Sequence, residues 1–313
     1  MSCLNTPHTR GETLSSMVGV GLRHPHYKEA LLGSSFIDFV EVHAENFFAE
    51  GGILPAILDD IARQYPISLH STSMGLGSAV GINRDYLLRL KRLSQQITPI
   101  LISDHACFTW SNLNGSSVHA GDLLPLEFSQ QSLQVMVENV DKVQQVLGRK
   151  ILVENLSSYV EFSFSDMSET EFLTELVNRT GCGLLVDLNN LIVNAHNFSD
   201  EGSLQTATQW LQQLPSRAVG EIHLAGYTPV SENELIIDDH SQPVSDECWS
   251  LYRTALKQFG AVTTLIEWDN NLPSWSVLLE QATKARSIMK DVTVTKALTV
   301  MKGVSEERVL HAI

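Results

Sequence analysis

Eight short apolar runs rich in Val, Ile and Leu recur along the chain, each bounded by turn residues and separated by stretches long enough for helices. In order they are Val18–Arg23, Phe39–Asn46, Ile67–His70, Ile100–His105, Ile151–Asn155, Gly183–Asn190, Val219–Gly226 and Thr264–Asp269. Between them, Asp85–Gln96 and Leu133–Leu147 carry the i, i+3, i+4 apolar spacing of amphipathic helices. Ser168–Thr180 opens with a capping box, Ser168 followed three residues later by Glu171. Eight buried strands alternating with helices predict a single (β/α)8 barrel. A doubly wound sheet shares the alternation. GVGLR lacks the third glycine of a dinucleotide-binding turn, which weakens that reading. The expected division is a leader at 1–17, the barrel at 18–290 and a C-terminal tail at 291–313, where the pattern fades.

Composition narrows the class. With 313 residues, 43% hydrophobic and 18% charged, the chain has enough apolar surface to bury a large core. A formal charge of −15 argues against a phosphate backbone as partner, so no nucleic acid is expected. Cys3, Cys107, Cys182 and Cys248 form no CxxC pair, as in a reduced protein without a zinc ribbon. The polar start lacks the apolar core of a signal peptide, and no run approaches the roughly 18 residues of a membrane helix. The expected location is cytoplasmic, with no membrane association.

The candidate strand ends are rich in residue types that bind metals. They bring Glu41, His43 and Glu45; His70; Asp104 and His105; Glu154 and Asn155; Asp187, Asn189 and Asn190; Glu221 and His223; and Glu267 and Asp269. Barrel enzymes place their sites at the C-terminal ends of the strands, so these groups converge on one mouth. Period-two alternation puts Asp187 with Asn189, Glu221 with His223 and Glu267 with Asp269 on shared faces, one member of each pair being free to sit deeper. Asp238, Asp239 and His240 form a further cluster on a loop, where Asp238-x-His240 offers two ligands. His8, His24, His26, His119 and His311 read as ordinary structural or surface histidines, and His43 and His196 are undecided. Burying His70, His105, Glu154, Asp187, His223 and Glu267 together without cations carries a heavy desolvation penalty. A metal cluster removes it. Histidine and carboxylate ligands without thiolates suit iron, manganese or zinc. So many ligands exceed one tetrahedral site, and Glu154 is placed to bridge two ions.

Read in order, GVGLR, EVHAENFF, LHSTSMGLG, SDHACF, VENLSSY, LLVDLNN, IHLAGY, IDDH and LIEWD resemble the multinuclear non-haem iron-dependent oxidative enzymes, a bacterial family long left uncharacterised. The resemblance runs from about Val18 to Glu280. It implies a TIM barrel with two or three irons of mixed Fe(II)/Fe(III) valence, using O2 to modify cysteines of a ribosomally made precursor peptide. A separate leader-binding protein is the implied partner. By analogy, one iron uses His70, His105 and Glu154. A second shares Glu154 and adds Asp187, His223 and Glu267. A third uses Asn189, Asp238 and His240, with Asn190 and Asp239 as alternatives. Glu154, Asp187 and His223 are the implied catalytic core. The implied chemistry starts with a substrate thiolate on a ferrous ion and hydrogen abstraction from the cysteine Cβ, after which the residue rearranges. The competing readings are a hydrolase or isomerase barrel using divalent ions, of the xylose-isomerase or endonuclease-IV type, and a non-enzymatic metal-binding module.

Overall fold

The computed structural model describes residues 17–231 and 234–310. Its strands are β1 (Val18–Gly21), β2 (Phe39–His43), β3 (Ile67–His70), β4 (Leu101–His105), β5 (Phe108–Leu113), β6 (Ser116–Leu124), β7 (Leu152–Glu154), β8 (Gly183–Asp187), β9 (Val219–Leu224) and β10 (Thr263–Ile266). Eight of them close into a parallel barrel in the order β1-β10-β9-β8-β7-β4-β3-β2. The other two, β5 and β6, pair as an antiparallel hairpin between β4 and the next helix.

The helices are α1 (Tyr27–Leu31), α2 (Ile53–Ala62), α3 (Arg84–Ile97), α4 (Gln130–Leu147), α5 (Glu169–Thr180), α6 (Leu188–Phe198), α7 (Ser203–Gln213), α8 (Asp246–Phe259) and α9 (Trp275–Leu310). Helix α4 buries Leu133, Met136, Val140 and Val143, spaced three and four apart, in the hydrophobic core. Each such side chain contributes roughly 1.5–3 kcal/mol. Ser168 caps α5 through the reciprocal bond with Glu171 that the sequence predicts. Helix α9 continues through the boundary placed at 290 and reaches Leu310. The leader with Cys3 and His8, and His311, lie outside the described residues.

The barrel interior is unusual in its upper layers. Bulky branched residues normally fill these positions. Here β2 and β3 bring Glu41 beside Ser68 and His43 beside His70, and β4 and β7 bring His105 beside Glu154. Strands β8 and β9 pair Asp187 with His223, and Glu221 sits one layer below His223. Space for these layers depends on a small residue in β1: a Cβ on Gly19 would lie 2.6 Å from the Phe39 ring.

Two expectations change. The sixth strand stops at Asp187, and α6 starts at Leu188, so Asn189 and Asn190 are helical and do not share a strand face with Asp187. Asp187 is the cause: its side chain accepts the Asn190 backbone N–H at 2.7 Å and caps the helix. The eighth strand stops at Ile266, and Glu267 and Asp269 follow it as non-strand backbone.

Candidate metal centre

Glu154 ends β7 and is 1% exposed. Its Oε2 lies 3.4 Å from His70 Nε2 and 3.2 Å from His105 Nε2. Its Oε1 faces the other way, 3.7 Å from His223 Nδ1. One carboxylate therefore offers a separate oxygen to each of two groups. The first is His70, His105 and Glu154, and the second is Glu154, Asp187, His223 and Glu267. In each, one ligand atom per residue falls within 4.8 Å of all the others. His70 Nδ1 is held by Ser103 Oγ at 2.8 Å, which leaves Nε2 to face the centre.

The third set also comes together, on different elements. Asn189 on α6 donates its Nδ2 to Asp238 Oδ1 at 2.7 Å, and His240 Nε2 lies 2.8 Å from the same oxygen. His240 Nε2 is 3.9 Å from Asp187 Oδ2, which joins this set to the second. Asn190 donates its Nδ2 to the Asn155 carbonyl, while its Oδ1, like that of Asn189, is buried without a hydrogen-bond partner. Asp239 accepts from Thr228 and Ser241 and is occupied outside the cluster. The loop carrying Asp238 and His240 is seated by Gly226, where a Cβ would meet the Pro243 carbonyl at 2.1 Å.

Several buried oxygens here have no hydrogen-bond partner: Glu154 Oε2, Asp187 Oδ2 and Asn189 Oδ1. Native interiors rarely leave such acceptors unpaired. Cations in the separate sets would give these oxygens partners, and hard oxygen with imidazole nitrogen is a donor set that iron, manganese or zinc accepts. The residues fit a multinuclear metal group.

The electrostatics agree with that fit. Burial pushes the Glu154 carboxyl up to about 8, against the pull of His105 and His223. Burial likewise raises Asp187 to about 7, opposed by His240. His105 is lifted to about 9, because Glu154 and Asp104 outweigh its burial. Glu267 is held at about 2 despite burial, because His223 and His240 face it. Without a cation, protons take the place of missing positive charge.

The centre opens into a cleft of about 190 Å3. Asp122 and Leu123 of the hairpin and Tyr159 of the following loop line it. His196 sits apart, paired with Glu247 at 2.9 Å. His26 and His119 are held by the Pro273 carbonyl and the Trp110 ring. Cys107, Cys182 and Cys248 are buried free thiols, and burial pushes all three up, so none offers a ready thiolate.

Three contributors carry more than the sequence suggested. Glu41 and Glu221 form a floor below His223, with Glu41 Oε1 3.5 Å from His223 Nε2. Their period-two spacing from His43 and His223 was the available signal. Arg23, at the end of GVGLR, reaches Asp269 and His43. Only its position past a strand end marked it.

Among solved structures, D-psicose 3-epimerase from Clostridium cellulolyticum H10 superposes with a TM-score of 0.55 at 12% identity, covering 88% of this chain and 99% of that one. Endonuclease IV from Thermus thermophilus gives 0.53 at 13% identity, covering 88% and 98%. At such identities the likeness is one of fold. The UPF0276 protein of Chromobacterium violaceum is 44% identical over 278 residues, 88% of this chain and 96% of that protein. The UPF0276 protein of Rhizorhabdus wittichii is 42% identical over 275 residues, 87% and 95%. A family model described as RiPP precursor modification enzyme MbnB/TglH/ChrH matches residues 17–290. RiPPs are ribosomally made, post-translationally modified peptides. The chain belongs to this family of RiPP precursor modification enzymes.

Proposed function

We propose that this enzyme is an iron-dependent oxidase that uses O2 to modify cysteine in a precursor peptide. The observation that supports this most is the shared carboxylate, Glu154, with one oxygen toward His70 and His105 and the other toward His223. His70, His105 and Glu154 would hold one iron. Glu154, Asp187, His223 and Glu267 would hold a second, and Asn189, Asp238 and His240 a third. Bound irons would supply a position for the substrate thiolate and a route for its electrons to O2.

The protein's own residues have separable tasks. Ser103 orients His70 through Nδ1. Glu41 faces the second nitrogen of His223 and fixes which side of that ring meets the centre. The hairpin and Tyr159 wall the cleft and limit water around the reacting cysteine. Tyr159 does so from a fixed position, since its hydroxyl accepts the Asp238 N–H at 3.0 Å. Glu154 and Asp187 would give up their protons to solvent when metal binds, which leaves both as carboxylate ligands. A separate leader-binding protein would deliver the peptide. The buried His and carboxylate groups serve the reading, and no described helix is long and apolar enough to cross a membrane.

The experiment is anaerobic purification from iron-replete cells, metal analysis, and mass spectrometry of a cysteine-containing precursor peptide after exposure to O2. Two to three irons per chain and an O2-dependent mass change on a cysteine are the expected results. Stoichiometric zinc with activity retained after iron removal would favour a hydrolytic barrel.

A further inference from the structure

A further group of ligand-type side chains, His43, Glu267 and Asp269, meets at the same mouth. It already holds a cation. Arg23 is 9% exposed, and its Nη2 lies 2.9 Å from His43 Nε2, 2.5 Å from Asp269 Oδ1 and 3.8 Å from Glu267 Oε1. Its Nε also donates to Asp269 Oδ1, at 2.9 Å. Guanidinium has donors and no acceptor, so His43 Nε2 must present its lone pair to Arg23. That nitrogen is then unavailable to a metal.

The other Asp269 oxygen points at a candidate ligand. Asp269 Oδ2 lies 3.3 Å from His240 Nδ1. The Asp269 and Asn270 backbone N–H groups both donate to the His240 carbonyl, at 2.9 and 3.3 Å. His240 has a φ of 44°, in the left-handed region that few residues other than glycine occupy. Those bonds hold the backbone and the ring together. With Nδ1 donating to Asp269, Nε2 is the nitrogen turned toward Asp238 and Asp187. Glu267 Oε2 is also 3.3 Å from Nδ1, but this carboxylate also meets His223 at 3.0 Å and belongs to the second ion's set.

We propose that Arg23 and Asp269 are positioning residues for the outermost ion: Arg23 clamps Asp269, and Asp269 sets which nitrogen of His240 faces the metal and in what direction. Neither is a ligand. The inference rests on His240 being a ligand, as in the proposed function.

The test is anaerobic titration of the metal-free full chain with ferrous ion, following stoichiometry and affinity. Wild type is compared with Asp269→Asn, Arg23→Lys and His240→Ala, with thermal unfolding of each metal-free protein as the control for folding. Asp269→Asn is expected to weaken one ion about 10–100-fold and leave the other two unchanged. Arg23→Lys keeps the charge but loses the fork, and should fall between wild type and Asp269→Asn. It also carries the test should Asp269→Asn not fold. His240→Ala should lose that same ion. Equal weakening of all ions, or unchanged affinities, in the Asp269 and Arg23 variants would overturn the positioning role. Loss of the ion in Asp269→Asn as complete as in His240→Ala would make Asp269 a ligand and overturn it too. A wild type that takes up only two ions, or a His240→Ala chain that keeps three, would instead remove the ligand reading of His240, and the proposal with it.

Discussion

His105 and Glu154 are register partners on neighbouring strands, and their side chains meet at 3.2 Å over the strand ends. The pair is buried and shares its proton load: burial raises the Glu154 carboxyl, and Glu154 and Asp104 raise His105. A metal must displace protons to use these atoms. Ferrous ion added to the metal-free protein at pH 7 should therefore release protons. Apparent affinity should rise between pH 6 and pH 8, by about tenfold per pH unit for each proton displaced. Titration in weak buffer with a pH indicator measures this directly. Binding without proton release would mean that Glu154 and Asp187 are not the groups engaged.

Glu169 gives a pH test away from the metal centre. Trp210 Nε1 donates to its Oε2 at 2.8 Å, and burial pushes its carboxyl from 4.5 up to about 7. The folded state thus binds the proton more tightly than the unfolded state. The stability this contributes is full below about 4.5 and is lost as pH rises through about 7. Glu169→Gln is uncharged and keeps an acceptor for Trp210. It should be more stable than wild type by about 1–3 kcal/mol at pH 8.5, and close to it at pH 4.5. Urea unfolding at the two pH values decides. An equal difference at both would remove the buried-acid explanation.

Cys107 lies two residues beyond His105 and is fully buried, with its thiol pushed well above the usual range by that burial. It packs as a small apolar side chain. Cys107→Ala should keep the full iron complement and peptide oxidation, at a stability cost of about 1 kcal/mol for the lost sulfur. If iron stayed and turnover vanished, the protein's own cysteine would have to enter the chemistry.

The barrel was legible because each parallel strand, covered on both faces, is a near-continuous apolar run. The candidate ligands were legible because His70, His105, Glu154 and Asp187 are each the last residue of a strand. Asn189 was misplaced for a local reason. Asp187, Leu188 and Asn189 continue a period-two alternation past the strand end, and only the capping by Asp187 starts a helix there. The β5–β6 hairpin was passed over although Asn114–Gly115 marks its turn, with φ of 52° and 85°. Its strands expose mostly polar residues and lie outside the barrel's alternation. Arg23 and the Glu41–Glu221 floor depend on which strands close the barrel beside one another, and one chain segment read alone does not carry that.

Glu154 serves two ions in the proposed centre. Glu154→Gln keeps the volume, removes the charge that both sites share and replaces one oxygen with an amide donor. A neutral amide screens two neighbouring cations poorly. The decisive measurement is iron per chain, by anaerobic ferrous titration with Mössbauer spectroscopy, for Glu154→Gln beside His105→Ala and wild type. Glu154→Gln should lose both inner ions and peptide oxidation, with His105→Ala losing first the ion it shares with His70. A folded Glu154→Gln protein that holds both inner irons and oxidises peptide at the wild-type rate would contradict the role of Glu154 in both sites.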